Sequence, residues 1–417
     1  MTLVQNRLLL LSGNKRLLFV AIGLLLAACS PKLRPMVTLP KPVDTAAVIK
    51  KPVEVKVVPP PPPPATVISL LLPFQLDQLD LSRGAGHAGI AKADVAMEYY
   101  QGFKLALDSL TVGNHNFKLQ VFDTKDEGAQ AHNLAINTKI RTGNLIIGPV
   151  YPEGIKSFSQ ASPNLKKMVV SPLSPASPIE YKNPNLVTVI PPLEYHCWHM
   201  AEYIQTRLKA KKVFILKSGY SDDNKYSIPF KKAIDSLSKK RVKVIELTVV
   251  RGNLSALVPQ LSATEQNIFI IPATDQQFLQ VTLHALDLLA KQHFPVTLFG
   301  HPNWEDADYL KADVLQRLNT YISSGDRVNY KSAAVMKFIK EYRKAYHSEP
   351  GEYAIKGYDE GLYFGRMSIT PGQTIANTPD FEGLHNTFHF IKTPTSGYVN
   401  THVKLYKYTN FELKPVE

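Results

Sequence analysis

Between Leu145 and Ile179 the chain reads LIIGPVYPEGIKSFSQASPNLKKMVVSPLSPASPI. Two short apolar segments, Leu145-Ile146-Ile147 and Met168-Val169-Val170, each end at a breaker, Gly148-Pro149 and Ser171-Pro172. A helical stretch separates them. Parallel strands need a crossover of a dozen or more residues, usually a helix, and this segment supplies one. In open α/β sheets, ligands collect outside the carboxyl ends of the strands, where loops and helix N-termini converge. The loops after Ile147 and Val170 are therefore expected to face a ligand.

The same alternation runs through the rest of the chain. Thr66 to Phe74 is a continuous apolar run, as a strand covered on both faces requires. Leu76 to Asp94 reads as a loop. Tyr99, Phe103, Ala106, Leu107 and Leu110 then fall at helical spacing. Phe117–Phe122 is the next strand, followed by Asp123-Thr124, and Gly128–Arg141 reads as one helix. Asn183-Pro184-Asn185, a short strand to Ile190 and Pro191-Pro192 mark a boundary.

A second series follows. Cys197, Ala201, Ile204 and Leu208 share a helix face, and Val213–Leu216 is a strand. Pro229 is placed in the first turn of a helix carrying Phe230, Ile234 and Leu237. Val242–Leu247, Asn267–Ile271 and Val296–Phe299 read as strands, and Phe278–Leu289 as a helix. Beyond Trp304 come helices at Ala334–Tyr346 and Tyr353–Met367 and an alternating strand from His402 to Tyr408. The expected fold class is α/β, with two doubly wound, parallel-sheet (Rossmann-like) lobes joined at a proline hinge. Lobe 1 is assigned to residues 66–192, lobe 2 to 193–315, and 316–417 to a return segment that completes both.

The N-terminus reads as a targeting segment. Arg7, Lys15 and Arg16 precede the apolar run Leu17–Leu26, which is short of the ~20 residues a comfortable span requires. Leu26-Ala27-Ala28-Cys29 follows. Pro31 to Ala65 is rich in Pro, Lys and Val and ends in the run Pro59–Pro64, suited to a semi-rigid extended stalk. These segments also absorb much of the formal charge of +13: three positive charges before Cys29 and a surplus of four between Ser30 and Ala65 leave +6 for the remainder. No basic stripe or recognition motif accompanies that mild surplus, so no nucleic-acid partner is expected.

No constellation for covalent catalysis, phosphate cradling or metal hydrolysis is recognisable. Ser236-Leu237-Ser238-Lys239 sits at a polar helix end. In His196-Cys197-Trp198-His199, a helix directs Cys197 away from the two histidines, and no second ligand cluster lies nearby. The chain is read as non-enzymatic, without metal or cofactor.

Two resemblances add to this reading. Leu26-Ala27-Ala28-Cys29 is similar to a bacterial lipobox. It implies cleavage before Cys29, acylation of its thiol, and a lipoprotein of the cell envelope, held at the outer membrane and facing the periplasm. With Cys29 acylated, Cys197 has no disulfide partner.

The chain from Thr66 to Glu417 resembles the type I periplasmic binding proteins, particularly the branched-chain amino-acid binding group. The likeness rests on Leu72-Pro73, Tyr100-Gln101-Gly102-Phe103, Asp123-Thr124, Gly148-Pro149, Ser171-Pro172 through Ser177-Pro178, Asn183-Pro184-Asn185 and Gly357-Tyr358-Asp359. It implies a cleft that closes on a small polar ligand, such as an amino acid, through hydroxyls in the Gly148-type and Ser-Pro loops. This sequence departs at Pro152, which carries neither hydroxyl nor N–H; in the second loop, Ser174 or Ser177 takes that role. The expected ligand-binding residues are Tyr151, Ser171, Ser174, Ser177, Tyr220, Asp222 and Trp304. The chain is also similar to lipoprotein activators of penicillin-binding proteins, in which the fold serves protein contact. The implied macromolecular partner is therefore a transport permease or a penicillin-binding protein.

Overall fold

The computed structural model describes residues 65–77, 87–113, 115–175, 177–393 and 397–416. The expected leader, Cys29 and the proline run lie outside the described residues, as do residues 78–86 of the expected 76–94 loop; from His87 onward that stretch is helix rather than loop. Strands β1 (Thr66–Leu72), β2 (Phe117–Asp123), β3 (Leu145–Ile147), β4 (Val169–Ser171) and β5 (Leu186–Thr188) belong to the first lobe. Strands β6 (Lys212–Lys217), β7 (Lys243–Thr248), β8 (Asn267–Ile270), β9 (Val296–Phe299) and β10 (Thr320–Ser324) belong to the second. A two-stranded ribbon pairs β11 (Phe381–Glu382) with β12 (Thr387–Phe388). The chain then supplies β13 (Phe390–Lys392) and β14 (Tyr398–Asn400) to the first sheet, and β15 (Lys404–Thr409) and β16 (Glu412–Pro415) to the second.

Both sheets have seven strands, ordered β13-β14-β5-β4-β3-β1-β2 and β16-β15-β10-β9-β8-β6-β7. All pairings are parallel except β13 with β14, β10 with β15, and β15 with β16. Strand burial explains the order. The inner strands LII, VVS, NIFI and VTLF are buried at every residue, as strands covered by helices on both faces must be. At the outer edges, FKLQVFD and KVIELT alternate between half-buried and exposed, with lysines along the open side.

The chain passes between lobes near Pro191, near Gly325 and again between β14 and β15. A Cβ placed on Gly325 would lie 2.8 Å from the Pro191 ring, so the first two crossings lie against each other. The Ala333–Tyr346 and Glu352–Ile369 helices return to lobe 1. The latter lies against the His87–Leu110 helix at very short range: Cβ atoms at Gly102 and Gly357 would fall 1.9 Å from the Ala354 carbonyl oxygen and 2.2 Å from that of Tyr99. Beneath this contact the buried Tyr99 hydroxyl donates to Glu360 Oε2 at 2.8 Å. The other oxygen, Oε1, has no partner among the described residues.

Two local expectations are corrected. Gly128–Arg141 is not one helix but two, Gly128–Ala135 and Thr138–Thr142. Asn137 between them is extended, and its side chain accepts from the Lys139 N–H, an alternative to the helical ladder that asparagine readily provides. Pro229 lies inside a helix that begins six residues earlier, at Asp223. The start is set by Asp223 itself, whose buried carboxylate accepts from the Ser218 N–H at 2.6 Å and from Ser218 Oγ at 2.8 Å.

Candidate functional site

A cleft of about 1230 Å³ opens between the lobes. Its floor is built from loops at the carboxyl ends of lobe 2 strands: Ser218–Lys225 after β6, Pro272–Asp275 after β8, His301–Asp306 after β9 and Ser323–Tyr330 after β10. Lobe 1 contributes Pro175, Ile190 and Pro191, and the Glu352–Ile369 helix presents Glu352, Tyr353 and Lys356. The position agrees with the strand-end rule for open sheets.

Seven carboxylates line this cleft, Asp222, Asp223, Asp275, Glu305, Asp306, Asp326 and Glu352, against three cations, Lys225, Arg327 and Lys356. The two lining histidines do not redress the balance. Burial holds His196 and His301 down to about 4, so both are neutral near neutrality. His196 Nδ1 lies 3.0 Å from Ser323 Oγ, while His301 Nδ1 accepts from the Asn303 N–H at 3.1 Å.

The cations are already engaged. Lys225 meets Asp222 at 2.9 Å in the open, and Arg327 pairs with Glu305. Lys356 lies with 8% of its side chain exposed, 2.9 Å from both Asp326 and Glu352, and its ammonium sits 5.2 Å from the Tyr353 ring centroid. Burial works against its charge, yet Asp326 and Glu352 more than offset this, so its pKa is raised. Burial likewise opposes ionisation of Asp326, and Lys356 outweighs it, leaving Asp326 lowered.

Lys356→Met is expected to strand Asp326 without its counter-charge. Asp326 keeps 35% of its side chain in water, so the loss belongs at the low end for a broken buried pair, about 3 kcal/mol. Urea unfolding of the variant and of Lys356→Met/Asp326→Asn measures it; the double variant should recover part of the loss.

Of the seven sequence candidates, Tyr220 and Asp222 line the cleft. Tyr151 precedes the Pro152–Ala161 helix, half-buried against the lobe 1 core, with the Lys92 ammonium 5.6 Å from its ring. Ser171 is buried, and its hydroxyl donates to the Ser174 carbonyl at 3.0 Å, closing that loop on itself. Ser174 is also buried, and the Ser177 carbonyl accepts from the Glu180 N–H at 3.0 Å. From this loop Pro175 reaches the cleft.

Trp304, expected along the cleft, is 1% exposed in the lobe 2 core. Its indole N–H donates to the Ala273 carbonyl at 2.9 Å, so it supports a lining residue from beneath. Cys197 is buried in the second lobe, and its Sγ donates to the Tyr226 carbonyl.

The sequence reading missed Asp306, Asp326, Tyr330, Glu352, Tyr353 and Lys356. A signal existed for Lys356, a charged residue one turn before Glu360 on a face otherwise given to Gly357, Gly361 and Phe364. Asp326 lies in a crossing with no periodic pattern.

This geometry defines a two-lobed α/β fold with an inter-lobe cleft. No family model matches the sequence, and no curated protein does. Among solved structures the chain is similar to a leucine-bound ABC transporter substrate-binding protein from Desulfitobacterium hafniense, at 16% identity over 85% of this chain and 100% of that one, TM-score 0.54. It is similar also to a putative branched-chain amino acid ABC transporter from Rhodospirillum rubrum, at 12% identity over 85% and 100%, TM-score 0.58. A third likeness is to the LpoA C-domain of Haemophilus influenzae, described as a regulator of PBP1A, at 14% identity over 84% and 100%, TM-score 0.56. The chain therefore has the type I periplasmic binding protein fold.

Proposed function

We propose that this chain is a non-enzymatic binding protein of the cell envelope, anchored through a lipid on Cys29 and facing the periplasm, that holds a small polar ligand between its lobes. The polar cleft at the carboxyl ends of the lobe 2 strands carries this reading. An amino acid or a peptidoglycan fragment matches its size and polarity. Hinge closure around such a ligand is a familiar motion of two-lobed proteins, and the paired crossings at Pro191 and Gly325 provide a pivot. Thermal unfolding in the presence of amino acids and muropeptides tests the proposal. A ligand at 100 times its dissociation constant should add about 2.7 kcal/mol; no shift across the set would sink it.

A second reading has its own support. The loop after β4 is closed by the Ser171–Ser174 hydrogen bond, and neither it nor Tyr151 places a hydroxyl along the cleft. The fold then serves protein contact, as in a regulator of a penicillin-binding protein. Crosslinking in envelope preparations separates the two: recovery of a peptidoglycan synthase supports the regulator, and recovery of a permease supports transport.

A further inference from the structure

The end of lobe 2 opposite the cleft is formed by the amino ends of its strands. Two segments meet there, Arg207–Lys212 (RLKAKK) entering β6 and Lys239–Lys243 (KKRVK) entering β7. Each carries four cations and no acid. Parallel pairing holds them side by side: Lys212 stands opposite Lys243 in the ladder, and the Lys243 N–H donates to the Lys211 carbonyl at 2.9 Å. The chain beyond Ala65 has a surplus of +6, so with these eight cations set aside the rest of it sums to −2. A surplus that is mild along the sequence is thus gathered at one end of one lobe.

All of the eight except Lys212 are exposed. Among the described residues only Lys211 has an acidic partner, Glu265 at 3.2 Å, and with 83% and 68% of those side chains in water the pair neutralises little. Helix ends account for part of the cluster, since cations near a helix C-terminus are favoured, and the Leu193–Thr206 and Asp223–Ser238 helices both finish here. That does not call for lysine at three left-handed positions. Lys209, Lys239 and Lys240 have φ of 49°, 52° and 60°, where glycine is the unstrained choice. No aromatic side chain interleaves the cations, as stacking on single-stranded nucleic acid requires. Six of the eight are lysines, point charges rather than forks for individual phosphates. A cluster of this size and kind is what an anionic headgroup layer attracts.

Resting on the anchored reading above, we infer that the amino end of the lobe 2 sheet is a docking surface for an anionic phospholipid bilayer, the one that holds the lipid at Cys29. The anchor supplies proximity, so attraction without a shaped pocket is sufficient. The 36 residues from Ser30 to Ala65 measure up to ~110 Å when extended, and the tether does not forbid the contact. The cleft, at the carboxyl ends of the same strands, then faces away from the bilayer and stays open to a ligand.

Cosedimentation of the full chain with vesicles tests the inference, with Cys29→Ser throughout so that no acyl chain intervenes. Vesicles of phosphatidylcholine containing about one-third phosphatidylglycerol should be bound more tightly than phosphatidylcholine alone, and added salt should erase the difference. Lys239→Gln/Lys240→Gln/Arg241→Gln should weaken binding to the anionic vesicles by at least about tenfold. Lys337→Gln/Lys340→Gln/Lys344→Gln, three exposed lysines of the Ala333–Tyr346 helix, removes the same charge and should leave binding near the starting value. Equal losses in the two variants would reduce the effect to net charge and overturn the placement. Binding indifferent to lipid charge would overturn the inference, as would sedimentation with purified peptidoglycan but not with anionic vesicles. The mass of the wild-type chain extracted from membranes reads acylation of Cys29 separately. An acylated chain with failed vesicle binding overturns this inference alone, whereas an unacylated Cys29 overturns the anchored reading and this inference with it.

Discussion

Gly357→Ala is expected to destabilise the protein by about 2 kcal/mol. The new methyl would lie 2.2 Å from the Tyr99 carbonyl oxygen and 3.1 Å from the Phe103 nitrogen, both backbone atoms of the His87–Leu110 helix. Neither can move without the helix moving. Two effects oppose each other. Alanine improves helix propensity over glycine by about 1 kcal/mol, whereas overpacking a tight contact costs about 3 kcal/mol at the upper end of its usual range. The clash wins because backbone meets backbone. Urea unfolding should show a lower midpoint with an unchanged slope. A neutral or stabilised variant would mean that the helices do not meet at this glycine.

The second large effect concerns Glu360. Burial, the principal cause, raises its pKa well above the ordinary 4.5. Below pH 4.5 the carboxyl is protonated in both folded and unfolded chains, and its contribution to stability does not vary. Above 4.5 the unfolded carboxyl ionises while the buried one keeps its proton, so folding takes up a proton and stability falls as pH rises. The loss is about 1.4 kcal/mol per pH unit, up to the folded-state value. Glu360→Gln can still accept from the Tyr99 hydroxyl and does not titrate. Its stability should therefore gain on the wild type by that slope as pH rises above 4.5. Parallel curves for the two proteins would show that Glu360 titrates normally and that its burial is relieved on ionisation.

The lobes could be read from sequence because their inner strands are short, fully apolar and stopped by proline, glycine or serine. LII before Gly148-Pro149 and VVS before Pro172 signal burial on both faces with no knowledge of neighbours. Gly148 adopts φ +95° with the Leu71 carbonyl at Cβ distance, which its place at a strand end suggested. The late strands β13, β14 and β16 were not legible. They are three or four residues long, and FIK or ELKP acquires a strand's identity only from the neighbour it pairs with.

The site divides along the same line. Tyr220 and Asp222 were placed along the cleft correctly because they sit in a polar loop directly after an apolar strand. Tyr151, Ser171 and Ser174 have the same local signature, yet Tyr151 packs half-buried against the lobe 1 core, Ser171 bonds its own loop and Ser174 is buried. Local sequence alone determined that this chain makes two sheets of parallel strands with helices between, since burial on both faces imposes a composition on each strand. Which charged residues meet along the cleft was decided by tertiary structure. Asp326 lies on a different segment from Glu352 and Lys356, and these charges acquire meaning only at the 2.9 Å to which the fold brings each ion pair. Coulomb interaction depends on separation in space, and separation along the chain does not reveal it.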